Sequence, residues 1–247
     1  MTLSQSSGAQ ADERGPDPLR VPRVVMVGPP GSGKSSQARE LSSRVGLRHL
    51  SSGDMLRDEV RRGTPIGLQA DAFMRAGDLV PDCLVDLLYE QQLGSTASGF
   101  VLDGYPRTAA QARRLLEVLP DPDQQPNLLI QFVVPDDVVV ERLCRRAQCV
   151  GCGEIFSVRE TTVCPVCGGA LRGRDDDRDD VVRARLGLYR DLLRPLLESL
   201  RDVAFRADID ADRPPEIVAS DLLRLVAPRL VGLGPAPAML ASELRLP

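Results

Sequence analysis

The residues most able to do chemistry form one run, Gly28-Pro-Pro-Gly-Ser-Gly-Lys34-Ser35, which fits the pattern G-x-x-x-x-G-K-[ST]. In such a loop the glycines let successive backbone N–H groups turn toward a phosphate. A following helix adds its positive N-terminal end, and the lysine reaches the β- and γ-phosphates. The loop leaves the acceptor of the phosphoryl group open among water, a metabolite and a nucleotide. Lys34 also stands out by composition: among 31 Lys and Arg residues it is the only lysine. Drift toward arginine explains the bias but not the exception, because a compact ammonium on a flexible stem is not exchangeable for a planar guanidinium where space is tight. A second element, Gly99-Phe-Val-Leu-Asp103, reads as an apolar strand ending in a carboxylate. From there an Asp can help hold a Mg²⁺ that bridges nucleotide phosphates.

Six arginines carry information in company: Arg57, Arg107, Arg142, Arg146, Arg174 and Arg185. Arg142 and Arg146 lie four apart in a predicted helix, hence on one face, and Arg174 and Arg185 flank the run Asp175-Asp176-Asp177. Moving a phosphoryl group between two polyanions takes several cations, to offset repulsion and stabilise the equatorial oxygens. No general base is evident. A phosphate acceptor needs none, since its second pKa of about 6 leaves it largely ionised at neutral pH; a sugar or alcohol acceptor would call on Asp54 or Asp103. The single histidine, His49, excludes mechanisms built on histidine pairs and reads as structural.

Cys149-x-x-Cys152, eleven residues and then Cys164-x-x-Cys167 form two knuckles whose thiolates can complete a tetrahedron around Zn²⁺. Four protein ligands leave no open position, so such a Zn²⁺ is structural. Disulfides are the alternative, disfavoured in a reducing compartment. Cys83 and Cys144 fall on predicted helices and read as small hydrophobes.

The elements that must position these residues follow from periodicity. Val24–Val27 is a short, continuous apolar run closed by Gly28-Pro29-Pro30, as expected of a strand buried on both faces. Further strands are predicted at 100–102, 128–134 and 203–209, and helices at 33–44, 54–62, 67–76, 82–93, 108–118, 136–147, 178–200 and 215–227. This alternation predicts an α/β fold, a parallel sheet with helices on both faces. The Cys- and Gly-rich stretch 149–173 breaks the alternation and reads as a small inserted module, too short to build a core without metal. Residues 1–20 read as a disordered leader; the tail from Pro228 has no assignable pattern, and no internal repeat is evident.

With 247 residues, 43% of them hydrophobic, the chain can bury a full core, as one domain with insertions or two small ones. A net charge of −4 argues against a protein that mainly neutralises nucleic-acid phosphates. No apolar run is long enough to span a membrane, and the first residues lack a secretory apolar segment, so a cytoplasmic location is expected.

The segments Gly28–Gln37 (GPPGSGKSSQ), Ser51–Arg57 (SSGDMLR), Gly77–Asp82 (GDLVPD), Asp103–Gln111 (DGYPRTAAQ) and Arg174–Leu186 (RDDDRDDVVRARL) resemble the adenylate kinase family in order and spacing, from about Arg23 to Val226. The resemblance implies a kinase domain over 21–227 with a helical AMP-binding insert at 51–80 and a zinc lid at 147–175. It implies that Gly31, Ser32, Gly33, Lys34, Ser35 and Ser36 cradle ATP phosphates, with Arg142 and Arg146 on the ATP side. Ser52, Arg57, Val80, Gly104, Arg107 and Gln111 would hold AMP, Gln111 reading the adenine edge. Arg174 and Arg185 would close over the transferring phosphoryl and touch AMP, and Asp54 and Asp103 would serve the water shell of Mg²⁺. Lys34, Asp103, Arg107, Arg142, Arg174 and Arg185 would be the catalytic set. Two departures are visible. Ser35-Ser36 replaces the family's usual Gly-Thr, and the stretch RLCRR lacks a common glycine, leaving open whether Arg145 or Arg146 faces the nucleotide.

The expected activity is Mg·ATP + AMP ⇌ 2 ADP, by a monomer binding nucleotides and neither nucleic acid nor membrane. A UMP- or CMP-type kinase is the nearest alternative, against which Gln111 and Thr108 favour adenine. A nucleic-acid-binding zinc ribbon would need a basic face, yet residues 149–179 carry more acidic than basic side chains. A switch GTPase would need a guanine-reading N-K-x-D segment, which is absent.

Overall fold

The computed structural model describes residues 21–93, 99–157, 162–174 and 177–230. The leader expected at 1–20 and the tail beyond 230 lie outside them. Five parallel strands form the central sheet in the order β2-β3-β1-β4-β8: β1 (Arg23–Val27), β2 (Arg48–Ser51), β3 (Phe100–Asp103), β4 (Leu128–Val133) and β8 (Phe205–Asp210). β1 is central, all five of its residues are buried, and it pairs with β3 on one side and β4 on the other. That is why its sequence is continuously apolar and not alternating.

Successive side chains of β1 point to opposite faces and sort two cores. Val25 and Val27 pack with Leu50, Leu102 and Leu129 under α2 (Ser52–Arg62), α4 (Asp82–Leu93), α5 (Ala109–Val118) and the C-terminal half of α7 (Asp179–Leu200). Val24 and Met26 pack with Val101, Ile130 and Phe132 under α1 (Lys34–Val45) and α8 (Pro215–Val226). Helices thus cover both faces, as the alternation predicts.

Between β2 and α4 the chain forms an α2–α3 pair, α3 spanning Pro65–Ala76. Each helix starts with a side-chain cap: Ser51 accepts from the Asp54 N–H and Thr64 from the Gly67 N–H. The two helices approach so closely that a Cβ on Gly67 would lie 2.1 Å from the Glu59 carbonyl oxygen. Following α6 (Asp136–Cys144), there is a second sheet of three short antiparallel strands in the order β6-β5-β7: β5 (Arg146–Cys149), β6 (Ile155–Ser157) and β7 (Leu171–Arg172), with Cys149 at the end of β5 and Cys152, Cys164 and Cys167 in the connecting loops. No helix among the described residues is long and apolar enough to cross a membrane.

Three expectations need correction. The helix predicted at 136–147 stops at Cys144, and the chain turns at Arg145 into β5, so Arg142 and Arg146 do not share a helical face. β2 has no counterpart among the predicted strands; its outer residues Arg48 and His49 are only partly buried because it is a sheet edge. The last strand runs from 205 to 210, not 203 to 209.

Candidate active site

The loop Gly28–Gly33 leaves the C-terminal end of β1 and enters α1 through Gly33, whose φ of +84° lies in the left-handed region that glycine tolerates. The Ser32 N–H donates to the Pro29 carbonyl, 3.2 Å, closing the turn. Lys34 folds back over it and its Nζ donates to the same carbonyl, 3.2 Å. The ammonium is held at a pKa of about 8. Burial is the main cause, opposed by the attraction of Asp103 and reinforced by repulsion from Arg107, Arg185 and Arg146. Three arginines from distant parts of the chain therefore act on Lys34, and two of them, Arg107 and Arg185, line one cleft with it.

Asp103 ends β3, in register with Met26 of β1 and Ser51 of β2, and is 2% exposed. Burial alone would raise its carboxyl. The His49 imidazole, with Nε2 3.6 Å from Oδ2, together with the Lys34 ammonium and the Ser35 hydroxyl, holds it below the ordinary value. His49 thus faces the site, as a neighbour of Asp103.

Beyond Asp103 the chain turns through Gly104 to Arg107. The Arg107 Nε donates to the Gly104 carbonyl, 2.8 Å, and its Nη2 to Ser52 Oγ, 3.3 Å; Ser52 Oγ donates in turn to the Gly104 carbonyl, 2.9 Å. Arg57 donates to Asp54 Oδ1, 2.5 Å. A cavity of about 500 Å³ opens here, lined by Leu56, Arg57, Met74, Val80, Arg107, Arg174 and Arg185, with Gln148 and Arg172 from the small sheet. An apolar wall beside a cluster of guanidinium groups suits a ligand with a flat ring and an anionic end. A narrower cleft lined by Gly28, Pro30, Lys34, Gly104, Arg107 and Arg185 joins the phosphate loop to the same arginines.

The remaining predicted residues separate. Arg146 makes a two-pronged bond to Asp177, Nε to Oδ2 at 2.8 Å and Nη2 to Oδ1 at 2.5 Å, while Arg145 pairs with Glu141. Of the two, Arg146 is the one whose charge acts on Lys34. Arg142 instead donates to the Ala211 carbonyl, 2.8 Å, and lies 3.5 Å from Asp212, beside the loop after β8 and away from the cavity lining. Asp54 pairs with Arg57 and lies 3.6 Å from Arg39, which in turn reaches Glu154 of the small module at 3.7 Å. Gln111 is buried, held by Arg107 and Asp82. Sequence reasoning missed Asp82 and Arg172, and did not single out Asp177 within its acidic run.

In the small module the four Sγ atoms of Cys149, Cys152, Cys164 and Cys167 lie within 4.8 Å of one another, with Cys149–Cys167 at 3.4 Å and Cys152–Cys164 at 3.6 Å. A tetrahedral ion with bonds of about 2.3 Å sets its ligand sulfurs about 3.8 Å apart, so the group fits Zn²⁺. The Cys152 amide N–H, then the Cys167 thiol and the Gly151 amide, bring Cys149 down to about 6 against the effect of burial, ready to ligate as a thiolate.

The family model described as adenylate kinase matches residues 26–204. An adenylate kinase of Thermosipho melanesiensis is 36% identical over 210 residues, 82% of this chain and 98% of that protein. One of Archaeoglobus fulgidus is 36% identical over 206 residues, 81% and 95% of the two chains. The chain belongs to the adenylate kinase family. A third member, from Caldicellulosiruptor saccharolyticus, is 40% identical over 183 residues, 71% of this chain and 85% of that protein. The family match runs from the end of β1 to just past α7 and includes the phosphate loop, Asp103, the arginines of the cavity and the four cysteines.

Proposed function

We propose that the protein is an adenylate kinase, transferring the terminal phosphoryl of Mg·ATP reversibly to AMP and yielding two ADP. The observation that carries this is the gathering of Lys34, Arg107 and Arg185 along one cleft, with Arg146 near enough to repel Lys34, beside an arginine-lined cavity. Two polyanions can meet end to end only where fixed cations offset their repulsion.

In this reading the loop 31–36 binds the phosphates of ATP through its backbone N–H groups and Lys34. Arg57 and Arg107 hold the AMP phosphate, with Ser52, Gly104 and Val80 along the nucleoside. Gln111 recognises the base. Arg146, Arg174 and Arg185 gather around the transferring group and stabilise charge on its equatorial oxygens. Arg142 supports the ATP side from behind, through the loop at Ala211. Bound Mg²⁺ would neutralise charge on the phosphate oxygens, and Asp103, with Asp54 further out, would hold its water shell. No base acts, because the AMP phosphate is already ionised.

The α2–α3 region, residues 51–80, is read as the AMP-binding insert, and residues 147–175 as a lid that Zn²⁺ stiffens. Closing this lid excludes water, which would otherwise take the phosphoryl group. The protein is read as a monomer acting on free nucleotides. A coupled ADP assay across AMP, UMP, CMP and GMP tests the proposal: AMP should be preferred strongly. Diadenosine pentaphosphate, which joins both nucleotides, should bind competitively with each; failure of either result refutes the assignment.

A further inference from the structure

We propose that Asp82 fixes the orientation of the Gln111 side-chain amide and thereby makes the acceptor site choose a 6-amino over a 6-oxo purine monophosphate. This rests on the reading of Gln111 as the residue that recognises the acceptor base.

Gln111 lies in the first turn of α5 and is 2% exposed. Its Oε1 accepts from the Arg107 backbone N–H at 2.7 Å, and its Nε2 donates to Asp82 Oδ1 at 2.8 Å. Asp82, at the start of α4, is held in turn. Its Oδ2 accepts from the Thr108 hydroxyl at 2.7 Å, and Thr108 Oγ1 accepts the Gln111 N–H at 3.0 Å as the cap of α5. A backbone N–H can only donate and a carboxylate only accept. One orientation of the amide satisfies both neighbours. The flipped orientation sets oxygen against a carboxylate and an NH₂ group against an N–H, inside the protein, where unmade polar contacts are most costly. Thr108 prevents the carboxylate from turning aside.

With these bonds made, Oε1 retains one lone pair and Nε2 one hydrogen. The amide therefore offers an acceptor and a donor side by side, in fixed order, one hydrogen bond from the cavity-lining Arg107. Adenine presents an amino donor at position 6 and an acceptor at N1. A 6-oxo purine presents the reverse, an acceptor at position 6 and a donor at N1, and could be matched only by flipping the amide against Asp82. A glutamine alone reads both patterns by rotating; the Arg107 N–H and the carboxylate remove that freedom, and of the two the carboxylate is the side chain.

The test compares kcat/KM for AMP and IMP, which differ at position 6, in the parent, Asp82→Asn, Asp82→Ser and Gln111→Ala. An asparagine in place of Asp82 can rotate its own amide to donate to a flipped Oε1, which removes the stronger of the two contacts against the flip and leaves only the Arg107 N–H, so Asp82→Asn should lower the AMP:IMP ratio severalfold, chiefly by raising activity on IMP. Asp82→Ser withdraws the carboxylate without supplying a matching donor, and should lose activity on AMP with less gain on IMP. A merely structural role would make the two variants fall alike on both nucleotides. An AMP:IMP ratio unchanged in Asp82→Asn, or equal losses in both variants, overturns the proposal. The underlying reading fails separately: if Gln111→Ala keeps the parent ratio, Gln111 does not recognise the base.

Discussion

Lys34 allows a prediction in which stability and activity move in opposite directions. A pKa lowered from 10.5 to about 8 means that charging this side chain in the folded protein costs about 3 kcal/mol more than in the unfolded chain, at about 1.4 kcal/mol for each pH unit. The folded state binds fewer protons between these two values. Stability therefore rises with pH from about 8 to 10.5, and the full penalty is present below 8. Lys34→Met keeps most of the stem and removes the charge. It also loses the bond to the Pro29 carbonyl, worth about 1 kcal/mol. The net gain is about 2 kcal/mol at pH 7, or about 4–8 °C in melting temperature for a domain of this size, while phosphoryl transfer is lost. Calorimetric melting of both proteins at pH 7 and pH 10 reads the effect, which should shrink at the higher pH. Bound phosphates should also restore the charge, so that nucleotide binding at pH 8 takes up about half a proton. Titration calorimetry in buffers of different ionisation enthalpy measures this. A Lys34→Met protein that melts below the parent at pH 7, together with buffer-independent binding heat, would refute the account.

Three further outcomes are expected. Cys152→Ser should remove one equivalent of bound zinc, measured by elemental analysis, and lower the melting temperature, because among the described residues the module's own core consists of little more than Ala147, Leu171, Phe156 and the buried cysteines; full zinc content would contradict the four-thiolate site. Arg146→Lys should lower kcat about tenfold or more in steady-state assays while leaving the fold intact, since an ammonium cannot reproduce the two-pronged bond to Asp177; parent-like turnover would exclude a role for that geometry. Gly67→Ala should destabilise by about 1–3 kcal/mol in chemical denaturation, because the added methyl meets the Glu59 backbone; an unchanged midpoint would mean that α2 and α3 are packed less closely.

What the sequence reveals depends on how far apart the cooperating residues lie. β1 is legible because burial on both faces leaves no polar position in it after Arg23. The phosphate loop is legible because all its parts lie within eight consecutive residues. β2 is obscured by Arg48 and His49, polar residues that a sheet edge tolerates. The end of α6 is obscured because Arg145-Arg146-Ala147 continues a helical pattern, with no Gly or Pro to stop it; the strand that replaces it is stabilised by pairing with β6 and β7, partners invisible to a local reading. In the site, Arg146 and Gln111 could be named from the family's motifs. Their counterparts Asp177 and Asp82 lie 31 and 29 residues away, and only the folded chain brings each pair together.

The solitary lysine has a physical reason in this arrangement. The site holds Lys34 among Arg107, Arg146 and Arg185, and Asp103 offsets only part of that charge. Asp177 draws the Arg146 guanidinium to itself through both oxygens, which leaves Lys34 as the cation at the loop. An ammonium can rest there, because a single carbonyl at 3.2 Å gives it one bond and its other hydrogens fit around a compact centre. A guanidinium at the same place would bring five donors in a fixed plane, against a loop whose Pro29 carbonyl already accepts from the Ser32 N–H. It would also stay charged whatever its surroundings, whereas lysine can partly lose its proton. The repulsion among these cations becomes attraction when phosphates bind, so binding energy appears at the reacting centre. On this reasoning Lys34→Arg should fail as severely in transfer as Lys34→Met, yet lack its gain in melting temperature. An arginine variant that retained activity would show that the loop needs only positive charge, and not the size and the titration of lysine.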